Sequence, residues 1–261
     1  MRHHPSYLLG VALLFMGAIF LLNPQPTQAN PDLLGSRLLT ESPSKRGRMA
    51  RGGQLYDNWA VTLGKSLPSK EHPAYPKLGQ KTGGETWRCS TCHGWDYRGA
   101  EGINKKGAAD YTGIIGLEQM RGVAQKKIIQ IIRNPIHQFS QATLPDDAVA
   151  DLALFVSEGQ MDMSALSEPN TQKAQGESQG GALFFHTICV RCHGVDGRHI
   201  NLSQEKDNPL FLGAIAKRNP WKSMHKIRNG QPGTIMISFI TLLNEADQMN
   251  ILSYVQTLPE K

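Results

Sequence analysis

Cysteine is scarce: this 261-residue chain has four. Four thiols are too few for the dense disulfide framework that holds small secreted scaffolds together. Nothing resembles a Ser/His/Asp triad, a phosphate-binding glycine loop or a carboxylate pair at a recognisable spacing, so hydrolytic and nucleotide-dependent chemistries find no support. The excess of positive charge is small as well. The formal net charge of +6 is shared by both halves of the chain, which leaves no basic arm for nucleic acid and makes an acidic protein the more natural complement. At this length and with 39% hydrophobic residues, the chain can bury one large core or two small ones.

The first 29 residues contain no acid at all. After Arg2, His3 and His4 comes an uncharged apolar run from Tyr7 to Leu22, then the helix breaker Asn23-Pro24-Gln25-Pro26, then Thr27-Gln28-Ala29 with small residues at a cleavable position. This is the layout of an export signal, expected to occupy residues 1–29 and to be removed after Ala29. As a helix the run spans about 24 Å, short of a hydrocarbon core of roughly 30 Å, so a cleaved signal is favoured over a retained anchor. The expected destination is the periplasm.

The four cysteines form two pairs, Cys89-Ser90-Thr91-Cys92-His93 and Cys189-Val190-Arg191-Cys192-His193. Two structural disulfides would not require a histidine after each pair. A zinc ribbon places its pairs about 15–20 residues apart, whereas these lie about a hundred apart. The pattern that accounts for every cysteine and both histidines is covalent haem attachment, with two thioether bonds per haem and the adjacent histidine on the iron.

Sequence repeats surround each motif. Upstream, the segments beginning at Gly52 (GGQLYDNW) and Gly180 (GGALFFHT) correspond. Downstream, VAQKKIIQIIRN from Val123 corresponds to NPWKSMHKIRNG from Asn219, and LPDDAVADLALFV from Leu144 to LNEADQMNILSYV from Leu243. Val149, Leu152 and Val156 lie at i, i+3 and i+7, the period of a core-facing helix, and Pro145 suits a first helical position. On these motifs the chain resembles a dihaem class I cytochrome c over residues 46–261. The resemblance implies an all-α fold of two tandem domains, each with three or more helices around a covalent haem. The expected boundaries are 46–160 for the first domain, with an insertion at about 60–87, then a polar linker at 161–179, and 180–261 for the second.

The resemblance implies two haem c groups, bound through Cys89, Cys92, Cys189 and Cys192, with His93 and His193 as proximal iron ligands. It implies that Gly181 lets the first helix of the second domain cross closely against the last, with Phe185 one turn on and Tyr254 opposite. Gly53 and Phe155 are the expected counterparts, and Asp57 then stands where an aromatic belongs, with Tyr56 as a substitute. Met236, on a Gly/Pro-rich loop, is the expected distal ligand of the second haem, and the Pro209 carbonyl the expected acceptor from His193. The equivalent place in the first domain holds His137, with Met120 and His72 as alternatives. The insertion is expected to act as a lid, Met224 and Met249 to fill the core, and His199 and His225 to lie on the surface. Lys217, Arg218, Lys222, Lys226 and Arg228 read either as a solvated helix face or as a surface that steers an acidic redox partner.

These expectations favour a periplasmic carrier of single electrons between redox proteins, acidic or membrane-bound ones included, with no nucleic acid and no small-molecule substrate. The alternative is the haem subunit of a dehydrogenase or terminal oxidase, or a thiosulfate dehydrogenase-like enzyme. Enzymes of that last kind use a cysteine as distal ligand, and this chain has none to spare.

Overall fold

Ser44 opens the first helix by accepting the amide of Gly47 on its side-chain oxygen (3.1 Å), which satisfies one of the donors a helix start leaves unpaired. Helix α1 then runs over Lys45–Thr62 with a break at Asn58, whose backbone is not helical. The structure, a computed structural model, describes residues 44–166, 172–203, 205 and 207–261. The expected export signal and residues 167–171 of the expected linker lie outside the described residues. Among the described residues there is no strand, and Gly99 and Ile115 form an isolated antiparallel bridge; no helix there is long and apolar enough to cross a membrane.

In the first half α1 is followed by the insertion, by the short helix α2 (Cys89–His93) that carries the first Cys-x-x-Cys-His motif, and by α3 (Gln125–Arg133) and α4 (Asp146–Leu154). A single wider turn, Phe155–Gly159, continues α4. Asp146 and Asp147 lie in the first turn of α4, where acids complement the helix dipole. Pro145 sits one position earlier than expected, as the cap residue. Val149, Leu152 and Val156 are buried as their spacing requires. In the second half α5 (Ser178–Phe184) leads through another wide turn into α6 (Val190–His193), then α7 (Leu212–Arg218), α8 (Pro220–Asn229) and α9 (Glu245–Val255). Pro220 occupies the first position of α8, and Asn219 caps it by accepting the Lys222 amide.

The crossing of first and last helices depends on glycine in both halves. A Cβ on Gly181 would lie 1.8 Å from the Asn250 carbonyl oxygen and 2.9 Å from Tyr254 Cβ, so only glycine allows α5 and α9 to approach this closely. In the first half the matching residue is Gly52, not Gly53. A Cβ on Gly52 would come within 2.2 Å of the Asp151 oxygen and 2.6 Å of Phe155 Cβ. Moving the register by one residue puts Tyr56 opposite Phe185, and the aromatic that Asp57 had appeared to displace is in place. Tyr56 packs on Phe155 with ring centroids 5.7 Å apart. Gly53 faces the other way, where a Cβ would meet the Asn229 side chain at 2.3 Å. The glycine pair lets α1 approach α4 on one side and α8 on the other.

That second contact joins the halves. The described residues fall within one compact unit, residues 43–261, and a single buried cluster takes in Tyr56 and Phe155 from the first half and Met224 and Leu252 from the second. The expected linker is no solvated tether, because Met161, Met163, Leu166 and Ala174 within it are buried. The expected solvated face of α8 is also corrected. Lys226 pairs with the buried carboxylate of Asp57 on α1, and Asp57 also accepts from Arg88 at 2.7 Å. Arg228 is buried and bonds to Glu245 and to the Gly159 carbonyl. Lys222 and Lys226 lie over the ring of Trp95 at 5.6 and 5.3 Å. Among the five cations, three are turned inward because α8 packs on the other half.

His225, expected on the surface, is fully buried. Its Nε2 bonds to the Gly53 carbonyl at 2.9 Å and its Nδ1 to the Tyr97 hydroxyl at 2.7 Å. Burial pushes its pKa down to about 4, against the pull of Asp57 and with the help of Lys226 and Arg228. The unfolded chain takes up this proton as pH falls through about 6.5, while the folded chain does so only near 4. This contribution to stability is therefore complete above pH 6.5 and is lost as pH falls towards 4. At about 1.4 kcal/mol per pKa unit, it is of the order of 3 kcal/mol. Urea unfolding of the holoprotein across this window should show a decline that is shallower in His225→Gln. Parallel curves would contradict a buried neutral imidazole.

Candidate functional site

Cys89, Cys92 and His93 lie on α2, with Gly94 immediately after it in the left-handed region (φ 77°). That turn brings the chain back so that the Gly99 amide donates to the His93 carbonyl at 2.9 Å. The short Gly99–Ile115 bridge then places the Ile115 carbonyl 2.8 Å from His93 Nδ1. A carbonyl only accepts, so Nδ1 carries the proton and Nε2 is left as the donor to a metal. Burial pushes the His93 pKa down to about 4, which keeps the imidazole neutral at pH 7, as a metal ligand must be.

Facing α2 is a cavity of about 340 Å³ lined by Cys89, Cys92 and His93 on one side and by His137 on the other. Its walls are apolar side chains from α3, α4 and the wide turn after α4, including Ile128, Ile132, Leu152 and Val156. Burial raises the Cys89 thiol to about 12 and Cys92 to about 11. These are the opposite of the depressed values that mark a redox-active dithiol. The four cysteines are not joined to one another, and among the described residues no cluster of three or more His, Cys, Asp or Glu side chains could hold a metal ion. The two pairs therefore do not converge on a shared zinc.

His137 sits on the loop after α3. Asn134, the residue that ends α3, accepts on its side-chain oxygen from the amides of Ile136 and His137, both at 2.9 Å, with His137 Nδ1 at 3.4 Å. This arrangement turns the other ring nitrogen of His137 away from the loop. The rings of His93 and His137 are nearly parallel (16°) with centroids 6.2 Å apart. With metal–imidazole bonds of about 2 Å, two imidazoles facing each other across one metal have centroids roughly 6 Å apart.

The insertion forms the outer wall. His72 donates from Nε2 to the His137 carbonyl at 2.8 Å and accepts the Ala74 amide on Nδ1 at 3.1 Å. Both nitrogens are used, so His72 steadies the loop of His137 and is not placed as a ligand. Its ring meets Trp87 (centroids 4.4 Å apart), and Trp87 meets Phe139 (5.8 Å). The Trp59 indole reaches the Trp87 carbonyl at 3.0 Å. The segment covers the cavity, the arrangement expected of a lid. Met120 also lines the cavity.

In the second half, Cys189, Cys192 and His193 occupy the matching turn, with Gly194 again left-handed (φ 77°). His193 Nδ1 is buried and has no hydrogen-bond partner, so the expected bond to the Pro209 carbonyl is absent. Pro209 instead borders a small polar hollow with Ser203 and Arg218. Met236 is half-buried on the loop after α8, its amide accepted by the Thr234 hydroxyl at 3.2 Å. Ser238 on the same loop donates to the Arg228 carbonyl at 2.7 Å, which ties the loop to α8. The elements that carry this motif and loop also expose large apolar side chains: Leu183 is 67% exposed, Val195 70% and Ile235 87%.

A family model for cytochrome c matches residues 178–259. That part of the chain is a cytochrome c domain, which implies covalently bound haem c, its iron, and haem-based electron transfer. Neither a curated protein nor a solved structure gives a significant match.

The sequence reading missed the Ile115 carbonyl and Asn134. The first has no side-chain signature. Asn134 could have been found, since an asparagine that closes a helix is a common organiser of the turn that follows.

Proposed function

We propose that this chain is a dihaem c-type cytochrome that passes single electrons between redox proteins, with the first haem held between His93 and His137 and the second between His193 and Met236. The observation that carries this reading is the parallel pair of imidazoles 6.2 Å apart on either side of an apolar cavity whose rim bears Cys89 and Cys92. When bound, haem c supplies a one-electron ferric/ferrous couple. The protein residues do the rest. Ile115 and Asn134 orient the two imidazoles with Nε2 inward, the Ile and Leu walls exclude water, and the insertion covers one edge. With side chains placed to hold the iron from both sides, a substrate would find no open position on it, and this favours a carrier over an oxidase or a thiosulfate-oxidising enzyme. Export to the periplasm belongs to the same proposal and is supported by the acid-free, apolar start of the chain.

Two measurements test it. Acid and organic solvent should leave two haems per chain attached to the denatured protein, and Cys192→Ala should weaken attachment of one of them only. A redox titration should show two waves. Thioether ligation favours ferrous iron while a second imidazole stabilises ferric iron, so the lower wave belongs to the first haem and a methionine-to-iron charge-transfer band to the upper. A single extractable haem would overturn the dihaem reading.

A further inference from the structure

The two halves meet at a hydrogen bond that leads back to the proximal ligand of the first site. His225 on α8 must donate from Nε2, because its partner there is the Gly53 carbonyl (2.9 Å). Its Nδ1 is then an acceptor, and the Tyr97 hydroxyl donates to it at 2.7 Å. Both side chains are fully buried. Tyr97 is held in the left-handed region (φ 63°), a conformation that costs a non-glycine residue energy and persists only where its surroundings fix it. The hydrogen bond to His225 and ring contacts with Tyr56 and Phe155 (5.4 and 5.7 Å) supply that fixing.

The backbone of Tyr97 continues the path. Its carbonyl accepts the Leu117 amide at 2.6 Å, and two residues on, the Gly99–Ile115 bridge closes the same short ladder. This ladder presents the Ile115 carbonyl to His93 Nδ1 at 2.8 Å. At its other end, α8 leads into the loop that carries Met236, tied back through Ser238.

From this geometry we infer that His225 and Tyr97 are positioning residues for His93. A side chain of the second half, acting through one buried hydrogen bond, sets how firmly the Ile115 carbonyl holds the first proximal imidazole, and through it the reduction potential of the first haem. The inference rests on the dihaem reading above. A strong acceptor at Nδ1 makes an imidazole a stronger donor and favours ferric iron, so loosening the ladder raises the potential.

The test is spectroelectrochemistry of the purified holoprotein and three single variants. Tyr97→Phe removes one oxygen and keeps the ring; His225→Leu removes both hydrogen bonds; His225→Gln keeps a donor for Gly53 and an acceptor for Tyr97. The lower wave should move upward in Tyr97→Phe and His225→Leu, stay near wild type in His225→Gln, and the upper wave should hold its place. The double variant Tyr97→Phe/His225→Leu should shift no further than the larger single variant, since both act through one bond. If His225→Leu does not accumulate, Tyr97→Phe and His225→Gln still decide the question. An unmoved lower wave in Tyr97→Phe, or additive shifts in the double variant, overturns the inference while leaving the dihaem reading intact. Absence of a low-spin bis-histidine spectrum in the unmodified protein would instead remove the reading on which it rests.

Discussion

Replacing His137 with alanine should open the first haem site. On the proposed ligation, imidazoles from both sides of the cavity would leave no position for an exogenous ligand, so the reduced holoprotein should bind carbon monoxide poorly. In His137→Ala one haem per chain should become high-spin and bind carbon monoxide rapidly and stoichiometrically, while the other remains unreactive. The lower redox wave should rise, because the ferric state loses its second imidazole donor. Axial ligation contributes to a span of about 0.8 V among haem proteins, so the shift should be large compared with that caused by changing a hydrogen bond. His137→Met should also raise the lower wave, but with low-spin iron and no carbon monoxide binding. Unchanged spectrum and potential in His137→Ala would exclude His137 as the ligand. Met120, which lines the same cavity, would then be the residue to replace.

Removing the Asp57 carboxylate should produce the largest loss of stability. Asp57 is 1% exposed and bonds to both Arg88 and Lys226. Burial pushes its carboxyl up, yet Lys226 and Arg88 outweigh that and hold it below its ordinary value. Burial takes the Lys226 ammonium down to about 8 in spite of the pairing, so at neutral pH both partners are charged. Asp57→Ala leaves two cations facing each other without their shared anion. Breaking a buried pair in this way costs about 3–5 kcal/mol, measurable as a fall in the denaturant midpoint of the holoprotein. Asp57→Leu combined with Lys226→Met should recover much of the loss, because apolar replacement removes the need to solvate the remaining charge. A loss below about 1 kcal/mol in Asp57→Ala, the range of an exposed pair, would mean that the network is open to water. A lowered acid pKa gives stability that is present above the unfolded value of about 3.9 and disappears as pH falls below it. The Asp57 contribution should therefore vanish only in strong acid, after that of His225 has already gone.

The two Cys-x-x-Cys-His motifs and the buried period of Val149, Leu152 and Val156 were legible in the sequence because each depends on residues a few positions apart. The correspondence of His137 with Met236 was read from the repeat as well, although a repeat shows correspondence and not distance. What tertiary structure decided lies where the halves meet. Whether Gly52 or Gly53 faces α4 depends on the rotation of α1, and α1 is caught between two helices, so a one-residue error in the repeat was invisible until both contacts were in view. His225, Lys226 and Arg228 lie on a helix whose polar sequence looks solvated. They are turned inward because the first half supplies a carbonyl, a phenol and a carboxylate to receive them. The acceptor for His93 is a main-chain carbonyl, which every residue has, and only the Gly99–Ile115 bridge selects the one at Ile115. The sequence by itself determined the two Cys-x-x-Cys-His motifs on which the proposed attachment rests, because such a motif needs particular side chains at fixed short spacing. The tertiary structure decided how the halves join and how the first proximal histidine is held, because backbone acceptors and burial arise from contacts between distant segments.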